Sequence, residues 1–174
     1  MTDRPAFTRL SEDGGGEAII RRILFTDLAR LAEPTLEAGV AAVLIKLGGR
    51  GAYLRTGPKG LPGRGGWANR ELYSPVFSIP HVAGTTGAGD TTISGFLASI
   101  TRNLEPEQAL TMAEAVGACC VEALDATSGI RSWEETVARV QAGWRHGPAV
   151  VEEPGWKQMP SGIWSGPNDA VGGC

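Results

Sequence analysis

Gly84-Thr85-Thr86-Gly87-Ala88-Gly89-Asp90 lies between a strand-like run and a strongly helical segment, and this stretch decides the fold. Its three residues from Gly87 to Gly89 carry no side chain larger than a methyl group, so their backbone N–H groups can approach an anion closely. A helix that begins here also directs the positive end of its dipole at the same point. The stretch therefore predicts a phosphate-binding turn at a helix N-terminus.

Asp90 would lie in the first turn of that helix, beside the bound anion. Its carboxylate would repel phosphate, so its presence needs a reason. One reason is stabilisation of the helix N-terminus, where acidic residues are favoured. The other is general-base catalysis on a nucleophile that attacks the bound phosphate. The spacing alone leaves both explanations open.

The composition predicts one globular domain. The chain has 174 residues, 42% hydrophobic and 20% charged, and its net charge of -3 gives no footprint for nucleic acid or an anionic membrane. No apolar run is long enough to span a bilayer and the first residues do not form a signal peptide, so we expect a cytoplasmic protein. The three cysteines and two histidines have no metal-ligand spacing, and no protein-held metal site is predicted.

Hydrophobic periodicity divides the chain into a flexible N-terminus (1–16), a domain (17–145) and a loosely structured tail (146–174). Within the domain we expect a helical region at 17–37 broken near 25–27, strands at 41–47, 52–55 and 73–79, an exposed loop at 56–70, and helices from 90, from 105 to 124 and from 133 to 144. The first strand is of the type buried in a parallel sheet, the second is antiparallel to it, and the third suits a sheet edge because of its prolines. This order predicts an α/β layered fold with ligands beyond the carboxyl ends of the strands.

Two glycine motifs in this order resemble one family. Lys46-Leu47-Gly48-Gly49-Arg50-Gly51-Ala52-Tyr53 looks like the strand and glycine turn that line the ATP site of ribokinase-like, or PfkB-type, sugar kinases. The stretch 85–90 with the helix after it is similar to the C-terminal signature of that family, and 113–130 looks like its last long helix and following turn. Either glycine motif alone would be weak, and the specificity comes from their joint occurrence.

The resemblance implies a three-layer α/β/α, Rossmann-like sheet of the ribokinase type. It covers roughly 17–141 and corresponds to the C-terminal portion of the family, so we expect a truncated fold without the N-terminal half and the β lid. An exposed sheet edge would then need covering, which predicts self-association or a partner at that edge.

The resemblance also assigns roles to residues. Asp90 would be the catalytic base, and Gly87, Ala88 and Gly89 would form the anion hole for the transferred phosphoryl group. The residues implied in nucleotide binding or in flanking the base are Lys46, Leu47, Gly48, Gly49, Arg50, Gly51, Thr86, Glu114 and Gly117. The implied ligands are ATP, Mg²⁺ bound through the phosphates, and a small sugar-like substrate. Gly84 replaces an acidic residue or its amide that can contribute to a monovalent-cation site, which leaves activation by potassium in doubt.

Alternatives remain for several of these residues. The glycine turn at 48–51 could be a plain hairpin turn, and Lys46 could be an edge residue whose ammonium group reaches solvent. The expected function is ATP-dependent phosphoryl transfer to a sugar hydroxyl. The alternative is a non-catalytic nucleotide-binding or interaction module derived from a sugar kinase.

Overall fold

A computed structural model describes residues 15–149 and 151–170 of the chain. The described helices are α1 Gly15–Arg22, α2 Phe25–Glu37, α3 Ala88–Thr101, α4 Pro106–Cys120 and α5 Trp133–Gln141. The described strands are β1 Ala42–Lys46, β2 Ala52–Thr56, β3 Glu71–Ser74, β4 Lys157–Gln158 and β5 Trp164–Ser165, with single 3₁₀ turns at Gly48–Arg50 and Gly65–Trp67. Most of the predicted flexible N-terminus, residues 1–14, lies outside the described part.

The strands form one five-stranded sheet in the order β1-β2-β3-β5-β4. Every pairing between described strands is antiparallel, and the register places Leu44 opposite Leu54 and Tyr53 opposite Tyr73. The predicted antiparallel pairing of the first two strands is therefore confirmed. The expectation that β1 has parallel neighbours finds no counterpart in the described sheet, where β1 is an edge strand that pairs with β2 alone.

Alternation along the strands divides the core between the two faces of the sheet. Ala52, Leu54 and Leu72 pack on one face, against α3 and α4. Tyr53 and Tyr73 pack on the other face, against α1 and α2. The sheet is thus the middle layer of an α/β/α arrangement, as the sequence predicted.

Gly51 makes the tight connection between β1 and β2 possible. Its φ of +103° lies in the left-handed region, and a Cβ on this residue would stand 1.9 Å from the carbonyl oxygen of Ser74. Only glycine combines that backbone conformation with such a close approach. The turn at the end of β1 is consequently fixed against β3.

The predicted third strand was placed wrongly. It begins at Glu71 and ends at Ser74, directly before Pro75, and it is an interior strand with β2 on one side and β5 on the other. Pro75 ends the strand because it cannot donate a backbone hydrogen bond to a neighbour. The sequence did not indicate that β3 lies inside the sheet, because its second partner is β5, which belongs to the segment predicted to be a loosely structured tail.

The segment 56–70 is exposed only in part, contrary to the expectation of an exposed loop, because several of its residues are anchored in the core. Trp67 is fully buried, and its indole Nε1 donates to the carbonyl oxygen of Leu104. Arg70 is also buried, with ion pairs to Glu107 and to Asp169. The glycines and prolines of this segment indicate irregular backbone, but they do not indicate that Trp67 and Arg70 are buried.

The tail is likewise more ordered than expected. Besides the two short strands, Ile163 is fully buried and Trp156 lies 4.5 Å, centroid to centroid, from the Phe25 ring. The carboxylate of Glu153 accepts hydrogen bonds from the backbone N–H groups of Phe25 and Thr26, at the start of α2. Residues 151–170 therefore belong to the folded body.

The helices differ from expectation mainly at their ends. The break between α1 and α2 falls at residues 23–24, Pro34 lies inside α2, and α4 ends at Cys120. On α3, Phe96 is buried, whereas Ile93 and Leu97 are exposed. Ser132 and Glu135 form a capping box at the start of α5. None of the helices in the described residues has the length and apolar character needed to cross a membrane.

Candidate active site

The predicted anion turn lies at the N-terminus of α3. Gly87 precedes the helix with a φ of +79°, a conformation that suits glycine, and the helix proper begins at Ala88. The N–H of Ala88 donates to the carbonyl oxygen of Thr85 at 3.3 Å. The N–H groups of Gly87, Gly89 and Asp90 have no acceptor within the described part of the chain. They are the donors of this turn that remain available to an anion.

A second loop, residues 121–129, packs against the anion turn at Gly87. A Cβ on Gly87 would stand 2.6 Å from the Cβ of Ala126, so the two loops meet with no side chain between them. Hydrogen bonds from the hydroxyl and the backbone N–H of Ser128 hold the pKa of Asp125 well below its usual range. These bonds give the supporting loop a fixed shape, although it lies at the surface.

Lys46 joins the two glycine motifs in space. Its ammonium Nζ stands 2.6 Å from the position that a Cβ would take on Gly89. The end of β1 and the start of α3 are therefore in contact, and a cation lies beside the N–H groups of the turn. Both features favour a negatively charged ligand at this point.

The other residues of the first motif have different surroundings. Arg50 donates to the carbonyl oxygens of Ile20 and Ile23, which commits it to the C-terminal end of α1. Leu47 is buried in the core on the α2 side of the sheet. Gly48 and Gly49 are exposed, with open space where a Cβ would stand. Of this motif, only Lys46 is brought against the anion turn.

Asp90 occupies the first turn of α3 as predicted. Its side chain is exposed and has no hydrogen-bond partner among the described residues, while its carbonyl oxygen accepts from the hydroxyl of Ser94. A carboxylate with this freedom is accessible to a substrate hydroxyl. The geometry is equally compatible with a charge that favours the helix N-terminus.

Glu114 and Gly117 lie on α4, but they face different surroundings. Glu114 is 6% exposed, and burial raises the pKa of its carboxyl to about 8. Gly117 faces the first turn of α3, where a Cβ would stand 2.3 Å from the hydroxyl oxygen of Thr92. Thr86 is exposed, and its carbonyl oxygen faces the thiol of Cys120 at 3.6 Å. Glu114 is thus a core residue, and Gly117 is a packing residue behind the turn.

Sequence reasoning missed the supports of the turn. Three side chains donate to carbonyl oxygens of the turn. The Thr91 hydroxyl lies within bonding distance of those of Gly87 and Ala88, the Thr92 hydroxyl donates to that of Ala88, and the Cys120 thiol donates to that of Thr86. The position of the threonines one turn after the glycines was the available signal, because a helical threonine can bond the carbonyl three or four residues back. Among the described residues, no group of three or more His, Cys, Asp or Glu side chains could hold a metal ion.

Comparison with known proteins assigns the family. The model of the pfkB family of carbohydrate kinases matches residues 24–133, well over half of the chain, and includes both glycine motifs. The chain belongs to the pfkB family of carbohydrate kinases. The resemblance inferred from the two motifs is therefore confirmed. A search of curated proteins finds none that matches this chain.

Solved structures agree with the ribokinase-like fold. A nucleoside kinase of the ribokinase family from Methanocaldococcus jannaschii is 20% identical, with a TM-score of 0.54, covering 72% of this chain and 42% of its own. Ribokinase from Thermotoga maritima is 25% identical, with a TM-score of 0.52 and coverages of 75% and 46%. Arabidopsis thaliana ribokinase, solved with ribose and ATP, is 22% identical, with a TM-score of 0.51 and coverages of 72% and 45%. The pfkB chain thus spans less than half the length of each of these structures.

Proposed function

We propose that this chain carries the nucleotide-binding and phosphoryl-transfer part of a carbohydrate kinase, which transfers a phosphoryl group from ATP to a hydroxyl of a sugar or sugar-like substrate. The contact between Lys46 and the anion turn at Gly89 carries this proposal. A cation, backbone N–H groups without an acceptor in the described residues and a helix N-terminus meet there, and Asp90 lies in the same first turn of α3. Family membership supports the same reaction class.

Each of these groups has a distinct task in the proposed reaction. Asp90 accepts the proton of the substrate hydroxyl as that oxygen attacks the γ-phosphorus of ATP. The N–H groups of Gly87 and Gly89 hydrogen-bond the phosphoryl oxygens, with that of Ala88 joining them if its long bond to Thr85 opens. Lys46 offsets negative charge on the phosphates.

A divalent cation belongs to this proposal through the nucleotide. Mg²⁺ is commonly held by substrate phosphates with one or two carboxylates, and when bound it neutralises phosphate charge. Asp90 is the carboxylate of the site that could contribute.

A second candidate function is nucleotide binding without transfer. Asp90 is exposed, as are Thr85 and Thr86 on the other side of the turn. Without exclusion of water, transfer to a sugar competes with hydrolysis. The chain would then bind ATP as an interaction module and would need another protein segment for turnover.

Phosphate transfer from labelled ATP to a panel of sugars and nucleosides tests the proposal. We expect transfer to at least one acceptor by the wild-type chain, and a loss of at least about 100-fold in Asp90→Asn, since removing a general base costs that much. Glu134→Gln is the matched control, because Glu134 is also an exposed carboxylate in a first helical turn, that of α5.

The outcomes separate the two functions. Binding of ATP by calorimetry with no transfer to any acceptor would support the non-catalytic module and exclude the kinase reaction for this chain. No binding of ATP at all would contradict both functions. Equal transfer by the wild type and Asp90→Asn would remove Asp90 from the role of base.

A further inference from the structure

Helices α3 and α4 approach each other closely at two glycines. A Cβ on Gly95 would stand 3.0 Å from the Cβ of Val116, and a Cβ on Gly117 would stand 2.3 Å from the hydroxyl oxygen of Thr92. The first contact lies in the middle of α3, and the second lies in its first turn. The glycine at 117 therefore leaves space for one particular hydroxyl group.

That hydroxyl is buried and directed at the anion turn. Thr92 is 7% exposed, and its Oγ1 donates to the carbonyl oxygen of Ala88 at 2.8 Å. The neighbouring Thr91 Oγ1 lies 3.1 Å from the carbonyl oxygen of Gly87 and 3.0 Å from that of Ala88. Both side chains thus act on carbonyl groups in the turn.

Peptide planarity transmits these contacts to the donors of the turn. The carbonyl group of Ala88 and the N–H of Gly89 belong to one planar peptide unit, so fixing the oxygen also fixes the direction of the N–H. The Gly89 N–H has no acceptor in the described part of the chain, and it lies on the residue that Lys46 approaches. This unit is the first of α3, and glycine restricts its rotation little, so the threonine hydroxyls add to the constraint that the helix supplies at this end.

We propose that Thr92 is a positioning residue, which holds the Ala88–Gly89 peptide unit so that the Gly89 N–H faces the anion, and that Gly117 is glycine in order to admit the Thr92 hydroxyl. This inference rests on the proposed phosphate-binding function of the turn. It assigns to Gly117 a role through Thr92 and not through contact with a nucleotide. Thr92 itself touches neither substrate nor nucleotide.

Thr92→Val tests the proposal because valine keeps the shape of threonine and removes the hydroxyl. Loss of one hydrogen bond that orients a phosphate donor should weaken ATP binding about fivefold, and adenosine binding should be unchanged. Thr92→Ser retains the hydroxyl and should restore most of the ATP affinity. Gly117→Ala should resemble Thr92→Val, since its methyl group would displace the hydroxyl.

Ser99→Ala is the matched control on the same helix. Ser99 is fully buried and donates to the carbonyl oxygen of Gly95 at 2.7 Å, a bond of the same type about two turns from the anion turn. It should lower the melting temperature in the same way as Thr92→Val and leave the affinities for ATP and adenosine unchanged. An equal loss of ATP affinity in Ser99→Ala and Thr92→Val would overturn the positioning role and leave a merely structural one.

Nuclear magnetic resonance separates this proposal from the proposed function. In ligand-free protein, Thr92→Val should shift the amide resonance of Gly89 more than any α3 amide beyond residue 96, and Thr92→Ser should not. If the wild type binds no ATP, the proposed function fails, and these resonances still decide whether Thr92 orients the peptide unit. An unshifted Gly89 resonance in Thr92→Val would overturn the proposal whatever the ATP affinity.

Discussion

Replacing Glu114 by glutamine should remove a pH dependence of stability that the buried carboxyl imposes on the fold. Glu114 is 6% exposed and has no hydrogen-bond partner among the described residues, and burial raises the pKa of its carboxyl from 4.5 to about 8. Between pH 4.5 and pH 8 the folded protein therefore holds a proton that the unfolded chain has released. Stability should be highest below pH 4.5 with respect to this group, and it should fall as the pH rises toward 8.

The size of the effect follows from the change in pKa. Each pH unit inside this window costs about 1.4 kcal/mol of unfolding free energy, to an upper limit of about 5 kcal/mol across the window. In a domain of this size, 1 kcal/mol corresponds to about 2–4 °C in melting temperature. The wild type should therefore lose roughly 7–14 °C between pH 5 and pH 7.5 relative to Glu114→Gln, which has no carboxyl to ionise.

Thermal unfolding followed by circular dichroism from pH 4.5 to 9 measures this difference. Asp125, whose pKa is lowered by its hydrogen bonds, contributes stability that is lost only as the pH falls toward its folded pKa, and it does so equally in both proteins. The exposed Glu134→Gln substitution serves as the control and should track the wild type at every pH. A constant difference in melting temperature between Glu114→Gln and wild type from pH 5 to pH 8 would refute the reasoning.

Three further predictions concern the turn, the tail and the site. Gly51→Ala should destabilise the fold by at least about 2 kcal/mol in urea unfolding, because of its left-handed φ and the close carbonyl, whereas Gly49→Ala, with open space around it, should have little effect. Asp169→Asn leaves the buried Arg70 with one carboxylate instead of two, which should cost roughly 3 kcal/mol and make the tail sensitive to limited proteolysis while the rest stays folded. Lys46→Met should weaken ATP binding about tenfold and leave adenosine binding unchanged in calorimetry. Equal unfolding free energies of Gly51→Ala and Gly49→Ala would contradict the first prediction. Equal stability of Asp169→Asn and the wild type would contradict the second, and equal ATP affinity of Lys46→Met and the wild type would contradict the third.

The sequence predicted those features whose physical cause is local. The glycines at 87 and 89 indicated a turn before a helix, because this pattern acts within a few residues of backbone. Recognition of the family required two such patterns in the right order. The contact of Lys46 with Gly89 then follows from the fold, which brings the end of β1 to the start of α3.

The features that were missed depend on distant partners. Trp67 lies among glycines in a segment with no periodicity, and its burial comes from distant residues, since it packs against Phe96 and donates to the carbonyl oxygen of Leu104. Strand β5 has two residues, too few to show alternation, and its partner β3 lies far away in the sequence. The family resemblance made Arg50 a candidate for nucleotide binding, yet its guanidinium donates to the distant carbonyl oxygens of Ile20 and Ile23. Such contacts join residues far apart in the sequence, and no pattern of neighbouring residues indicates them.

The attachment of the tail to β3 has a kinetic consequence. The N–H of Asn168 donates to the carboxylate of Glu71 across 97 positions of sequence, and Arg70 reaches Asp169 across 99. Closing a loop of this length costs chain entropy before any contact repays it, so these contacts should form late in folding. The hairpin of β1 and β2 and the pair of α3 and α4 involve short separations and can form early. Newly synthesised chain should therefore pass through a stage in which β3 is an open strand edge, exposed to pairing with other chains until the tail arrives.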